Sequence, residues 1–337
     1  MTDAGGTTQR PRLGARLWAW LPDRVDRRVV AAAWATLVVQ IGIVGTGGLV
    51  RLTASGLGCP TWPQCTAGSF VPTPELAAHG AIEFANRMLT FVLVAVAILM
   101  FLFVVRYRSE RRDLFWLALS IGLYVPLQAI IGGITVLTNL NPYVVGLHFF
   151  ASVVLVALAT VLVYRVYTPP GARAPAVPGW YAAVAHLTSA AVLVTVLVGI
   201  LVTGAGPHAG DAGAARNGLD PELMQHLHAW PGYVTVGLTV VLLVGALRVA
   251  PALRFWVGLL LAVELVQIAV GLLQARTGLP IVLVNIHMVL AVCLVAAMTA
   301  VVLHLKAPVP AERDALAPHD SNPDRASVTS GPRTATP

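Results

Sequence analysis

Eight apolar runs, each about 20 residues or longer, dominate the chain between Val29 and His304 and leave it one way to fold. They are Val29–Val50, Ala77–Val105, Leu114–Val136, Tyr143–Tyr164, Trp180–Thr203, Glu222–Leu247, Phe255–Gln274 and Ile281–His304. In hydrocarbon every backbone N–H and C=O must find its partner inside the segment, so each run reads as a membrane-spanning helix. The expected fold is an all-α polytopic membrane protein. Composition agrees: 57% of the residues are hydrophobic and 11% charged, against roughly a quarter charged in soluble domains. That excludes a water-soluble enzyme, a disordered chain and a disulfide-stapled secreted domain, for which three cysteines are too few. The first run is too long for the core of a cleaved leader and lacks a small-residue cleavage pattern, so it reads as a retained anchor.

The positive charges set the orientation. Eighteen of the 22 Lys and Arg, among them Arg24, Arg28, Arg106, Arg112, Arg165, Arg248 and Lys306, fall on one side of the eight runs. Arg51, Arg216 and Arg276 fall on the other, and Arg87 lies inside a run. Basic loops stay cytoplasmic, so a multi-pass protein of the cell (plasma) membrane with both termini in the cytoplasm is expected. The net charge of +7 is then a topology signal, and no nucleic-acid partner is expected. The polar segments 1–28 and 305–337 read as disordered, and 165–179 as a cytoplasmic linker. Only 52–76 and 204–221 are long enough to build anything on the outer side.

The chain also repeats itself. Residues 127–156 align without gaps to 266–295 with nine identities, including Gln128 with Gln267, Thr138 with Thr277 and His148 with His287. A looser match sets 47–50 against 199–202 and 83–87 against 225–229, which places Asn86 opposite His228. Four helices per copy keep both copies in one orientation, about an axis along the membrane normal. Two pseudo-symmetric four-helix bundles follow, 29–164 and 180–304, each with an inner cavity.

Ionisable groups inside spans are costly and mark function. His79, Glu83, Asn86 and Arg87 share one helical face, where a Glu83–Arg87 pair serves either as glue or as part of a site. His79, His148, His228 and His287 lie near the outer ends of the even-numbered helices, in one layer roughly 5–10 Å deep at 1.5 Å per residue. Imidazoles projecting from facing helices are what a porphyrin iron takes as axial ligands. His226 and His228 sit on nearly opposite sides of one helix, and the repeat favours His228. His186 reads as structural, Cys293 as packing, and Glu264 carries no assigned role. Cys59 and Cys65, in an oxidising outer loop, are either a staple or a redox-active pair.

These residues resemble the heme A synthase family. The resemblance rests on GGLVRLTASGLGCPTWPQC at 47–65, HGAIEFANR at 79–87, GLHFFAS at 146–152, QHLHA at 225–229 and NIHM at 285–288, and covers about residues 30–305. It implies oxidation of the C8 methyl of heme O to the formyl of heme A, by two hydroxylations and loss of water. It also implies a heme b cofactor between His228 and His287. The N-terminal half would take heme O as substrate, with His148 on its iron and Glu83 in the chemistry, and the cysteine pair would match Cys59 and Cys65. A heme O synthase and cytochrome oxidase assembly factors are the implied partners. One departure is Asn86, where many relatives carry histidine, so the substrate iron is held by His148 alone or with His79. The other is the absence of cysteines at 204–221. Arg51 is either a propionate contact or an interface marker. A cytochrome b-type electron carrier needs the histidines but not Glu83, and a transporter favours broken helices where these runs are continuous.

Overall fold

The computed structural model describes residues 13–309. A short helix, α1 (Leu13–Trp20), precedes eight long ones: α2 (Arg27–Leu52), α3 (Ala77–Val105), α4 (Arg112–Leu137), α5 (Pro142–Tyr167), α6 (Gly179–Ala205), α7 (Pro221–Arg248), α8 (Arg254–Arg276) and α9 (Ile281–Leu303). All eight are long and apolar enough to cross a membrane. Most of them run one to three residues past their apolar runs because the polar flanks supply caps. The Asp26 carboxylate accepts from the Arg28 and Val29 N–H groups, Asn141 from Tyr143, and Asp220 from Leu223. Pro142 and Pro221 occupy first-turn positions, where a missing N–H costs no bond. Leu123, Leu187, Trp230 and Phe255 stand exposed away from the cavity. A coat of that kind fails in water and suits lipid.

The packing follows from which ends are filled. Helices α2, α3, α4 and α5 close a ring of contacts, and α6, α7, α8 and α9 close a second; α9 joins them by packing on α2 and α5. Met100, Leu114, Ile121, Leu155 and Leu162 fill the first ring, and Tyr181, Leu242, Leu253 and Leu260 the second. Most of these residues lie toward the end that carries Arg106, Arg165 and Arg248. Both rings are therefore solid at the basic end and open toward the other.

The segments 1–28 and 305–337, read as disordered, carry some regular structure next to the spans. Helix α1 lies within 1–28, and Arg106 Nη1 donates to the Leu21 carbonyl just beyond it at 2.9 Å. In the 165–179 connection, β1 (Arg173–Pro175) pairs antiparallel with β2 (Lys306–Pro308), which ties the connection to the end of α9. The expectations for 1–12 and 310–337 lie outside the described residues.

Candidate functional site

The open ends of the two rings share a cavity of about 1230 Å³. A pocket for one drug-sized ligand is typically about 300–1,000 Å³, so this one has room for a large ligand or for two. Its wall is mainly apolar, and all eight spans contribute polar groups to it, including Arg51, Glu83, His148, His228 and His287.

Each of the three cavity histidines lies over a glycine of the preceding helix. A Cβ built on Gly132 would stand 3.0 Å from His148 Cε1, one on Gly199 2.9 Å from His228 Cε1, and one on Gly271 3.0 Å from His287 Cε1. Only a residue without a side chain admits the ring that closely. The Nδ1 atoms of all three are buried with no hydrogen-bond partner among the described residues. Gln128 Nε2 donates to the His148 carbonyl, and Gln267 Nε2 to the His287 carbonyl, each at 3.1 Å. The polar matches of the repeat thus make equivalent contacts. The glycines were missed by the sequence reading, although Gly132 and Gly271 coincide in the same alignment.

His228 and His287 face each other with ring centres 6.1 Å apart. A metal about 2 Å from a nitrogen of each ring requires roughly that separation. Among the described residues no three His, Cys, Asp or Glu side chains group as a bare metal ion would need. A porphyrin brings four nitrogens of its own and asks for one or two axial side chains, so the paired rings on glycine cradles fit an iron porphyrin.

In the first ring, Glu83 is buried and bonded through both oxygens. Its Oε2 accepts from the Cys59 N–H at 2.7 Å, and its Oε1 from Arg87 Nη2 at 2.6 Å and Nε at 3.1 Å. Arg87 also donates to the carbonyls of Cys59, Thr61 and Gln64. Cys59 and Cys65 form a disulfide, so the pair holds a closed loop over the cavity. Asn86 Oδ1 accepts from Thr46 Oγ1 at 2.8 Å.

Other expected residues fall elsewhere. His79 is exposed, bonded through Nδ1 to Ser55 Oγ at 3.0 Å, and does not line the cavity. His226 and His186 are exposed as well. His304 stacks on Trp256 with ring centres 4.4 Å apart, at the basic end. Arg51 lines the cavity, donates to the Thr203 carbonyl and leaves Nε without a partner among the described residues. Burial, with the positive charges of Arg51 and Arg216, pushes the nearby His208 imidazole below its ordinary pKa. Within the cavity, the Arg51 guanidinium with its unpartnered Nε suits a carboxylate. Glu264, unassigned from sequence, is buried in the cavity wall and accepts from Thr239 Oγ1 at 2.7 Å.

Fold and site together define a polytopic helical membrane protein with paired histidines set into an intramembrane cavity. The chain belongs to the COX15-CtaA family, described as cytochrome oxidase assembly protein, whose family model matches residues 31–299. Among curated relatives it is 33% identical over 130 residues to a heme A synthase of Listeria welshimeri, covering 36% of this chain and 42% of that one. It is 33% identical over 134 residues to one of Lysinibacillus sphaericus, covering 40% and 41%, and 37% identical over 134 residues to one of Bacillus pumilus, covering 36% and 41%. The aligned chain thus spans about two fifths of the length of the curated relatives it matches.

Proposed function

We propose that the protein is a heme A synthase, a membrane-bound oxidoreductase that converts the C8 methyl of heme O to the formyl of heme A. The observation that carries this is the constellation of one cavity with His148, His228 and His287, each seated on a glycine. Relatives named heme A synthase support it. The two halves act as related four-helix bundles, the C-terminal one holding heme b and the N-terminal one the substrate.

His228 and His287 would hold heme b, which would supply one-electron transfer when bound. His148 would hold the iron of heme O as substrate and so keep it within the first ring. Glu83 is the proton-handling group. Its Oε1 is occupied twice by Arg87, whereas Oε2 takes one bond from Cys59 and keeps one acceptor site for the proton of a reacting C–H or water. Arg87 keeps that oxygen in place, and the disulfide loop above it excludes water from the reacting edge. Arg51 pairs with a propionate. The protein is oriented in the plasma membrane with its basic ends and both termini in the cytoplasm. It takes substrate from a heme O synthase and passes product to cytochrome oxidase assembly.

The test is pigment extraction from wild type and Glu83→Ala. The expected result is heme b with heme A in the wild type, and heme b alone or with heme O in the variant. A colourless wild type, or heme A persisting in the variant, would contradict the reading.

A further inference from the structure

The geometry points to an open axial position opposite His148, a binding site over Asn86 for a small neutral ligand such as a diatomic gas or water. The inference rests on the function proposed above, because it concerns the porphyrin that His148 would hold.

Three glycines of the cavity wall carry an imidazole, and a fourth does not. The looser repeat match pairs Gly47 with Gly199 and Asn86 with His228, so Gly47 on α2 is where a fourth histidine ring would rest. A Cβ built on Gly47 would meet nothing within 4 Å among the described residues. Asn86 does not fill that space. Thr46, the residue next to Gly47, donates to its Oδ1 and draws the amide onto the wall. The amide oxygen is thereby occupied, and an amide is smaller than an imidazole.

Among the described residues no histidine besides His148, His228 and His287 lines the cavity. His79 faces outward to Ser55, His226 is exposed, and Glu83 and Arg87 are committed to each other and to the 59–65 loop. The two halves therefore differ in kind. In the second ring, two imidazoles with ring centres 6.1 Å apart would occupy both faces of a porphyrin iron held between them. In the first, a single imidazole stands across from a polar, unfilled face. The Asn86 Nδ2 makes no hydrogen bond to the described residues, and it is free to donate to the ligand. Distal hydrogen-bond donors and steric access decide whether a five-coordinate heme iron binds small ligands.

The experiment uses the full chain in detergent, titrated with hemin to saturation, reduced with dithionite and exposed to carbon monoxide. The expected result is two porphyrins per chain and one carbon monoxide adduct per chain, read in the Soret difference spectrum. Asn86→His should abolish the adduct and give a second six-coordinate spectrum, whereas Asn86→Ala should retain it. Two bound porphyrins with no adduct in the wild type would overturn the inference and leave the proposed function standing. So would an adduct undiminished in Asn86→His, or uptake of only one porphyrin. No porphyrin uptake at all would overturn both. The wild-type measurement decides without the variants, so misfolding of Asn86→His does not rescue the inference.

Discussion

Replacing Gly271 by alanine should separate stability from porphyrin binding. The new Cβ would sit 3.0 Å from His287 Cε1, whereas carbon atoms pack best at about 3.5–4.0 Å. The ring must then withdraw by roughly 0.5–1 Å, several times the ~0.2 Å tolerance of a metal–ligand distance. Perturbing a group that supports a metal ligand typically costs about 10–100-fold in affinity, or about 1.4–2.8 kcal/mol. The same substitution removes a helix-interior glycine, which by itself is worth about 0.5–1 kcal/mol of added stability. Gly258 on the same helix is the control, since a Cβ there would meet nothing within 4 Å among the described residues. Hemin titration followed in the Soret band, with thermal unfolding of the apoprotein in detergent, measures both quantities. Gly271→Ala should bind the porphyrin 10–100-fold more weakly while unfolding no earlier than wild type, and Gly258→Ala should bind normally. Equal affinity in the two variants would refute the cradle argument. Earlier unfolding of Gly271→Ala would refute the claim that the glycine serves the ring rather than the fold.

The ligand assignment predicts that His228→Ala or His287→Ala loses heme b, whereas His148→Ala keeps it and stops heme A formation; pyridine hemochrome spectra and extracted pigments report both. Arg87→Ala removes the partner of a buried carboxylate and the donor to three loop carbonyls, so it should cost about 3–5 kcal/mol and expose the 59–65 loop to proteolysis. Arg87→Lys should recover only part of that, because an ammonium lacks the planar fork. At the start of α2, partial burial opposes ionisation of Asp26, but hydrogen bonds from Arg28 and Val29 and the Arg28 charge outweigh it, so its pKa is lowered. A lowered folded-state pKa gives stability that is present above the ordinary value of about 4 and lost as pH falls through the folded value. Asp26→Ala should cost about 1 kcal/mol at neutral pH, and the difference from wild type should shrink in acid, where only the neutral cap remains; a difference independent of pH would contradict the ionic part of the capping role.

Much of the architecture was legible because it is written locally. A 20-residue apolar run has no alternative to a spanning helix, so all eight were placed to within a few residues at either end. That His148, His228 and His287 share one cavity was legible for the same reason, since depth along a helix follows from counting residues, but the layer also included His79, which lies outside it. What the sequence hid lies between helices. That Gly132, Gly199 and Gly271 sit beneath imidazoles depends on which faces of α4, α6 and α8 meet α5, α7 and α9, and an almost uniformly apolar helix carries no moment that reveals its face. His79 shares its helical face with Glu83, yet the outer loop captures it through Ser55. The sequence paired Glu83 with Arg87 as glue or as part of a site, but its bond to the Cys59 N–H joins residues 24 apart that no periodicity connects. Glu264 stood out by charge but gained a partner only when α7 brought Thr239 against it.

The central claim is that this cavity converts heme O to heme A. Its most direct test is to supply heme O to membranes containing the full chain and to analyse the extracted porphyrins by mass spectrometry. The account predicts a product that has gained one oxygen and lost two hydrogens, formed by wild type and absent from Glu83→Ala and His148→Ala membranes. Heme O recovered unchanged from membranes that hold folded, porphyrin-loaded wild-type protein would contradict it.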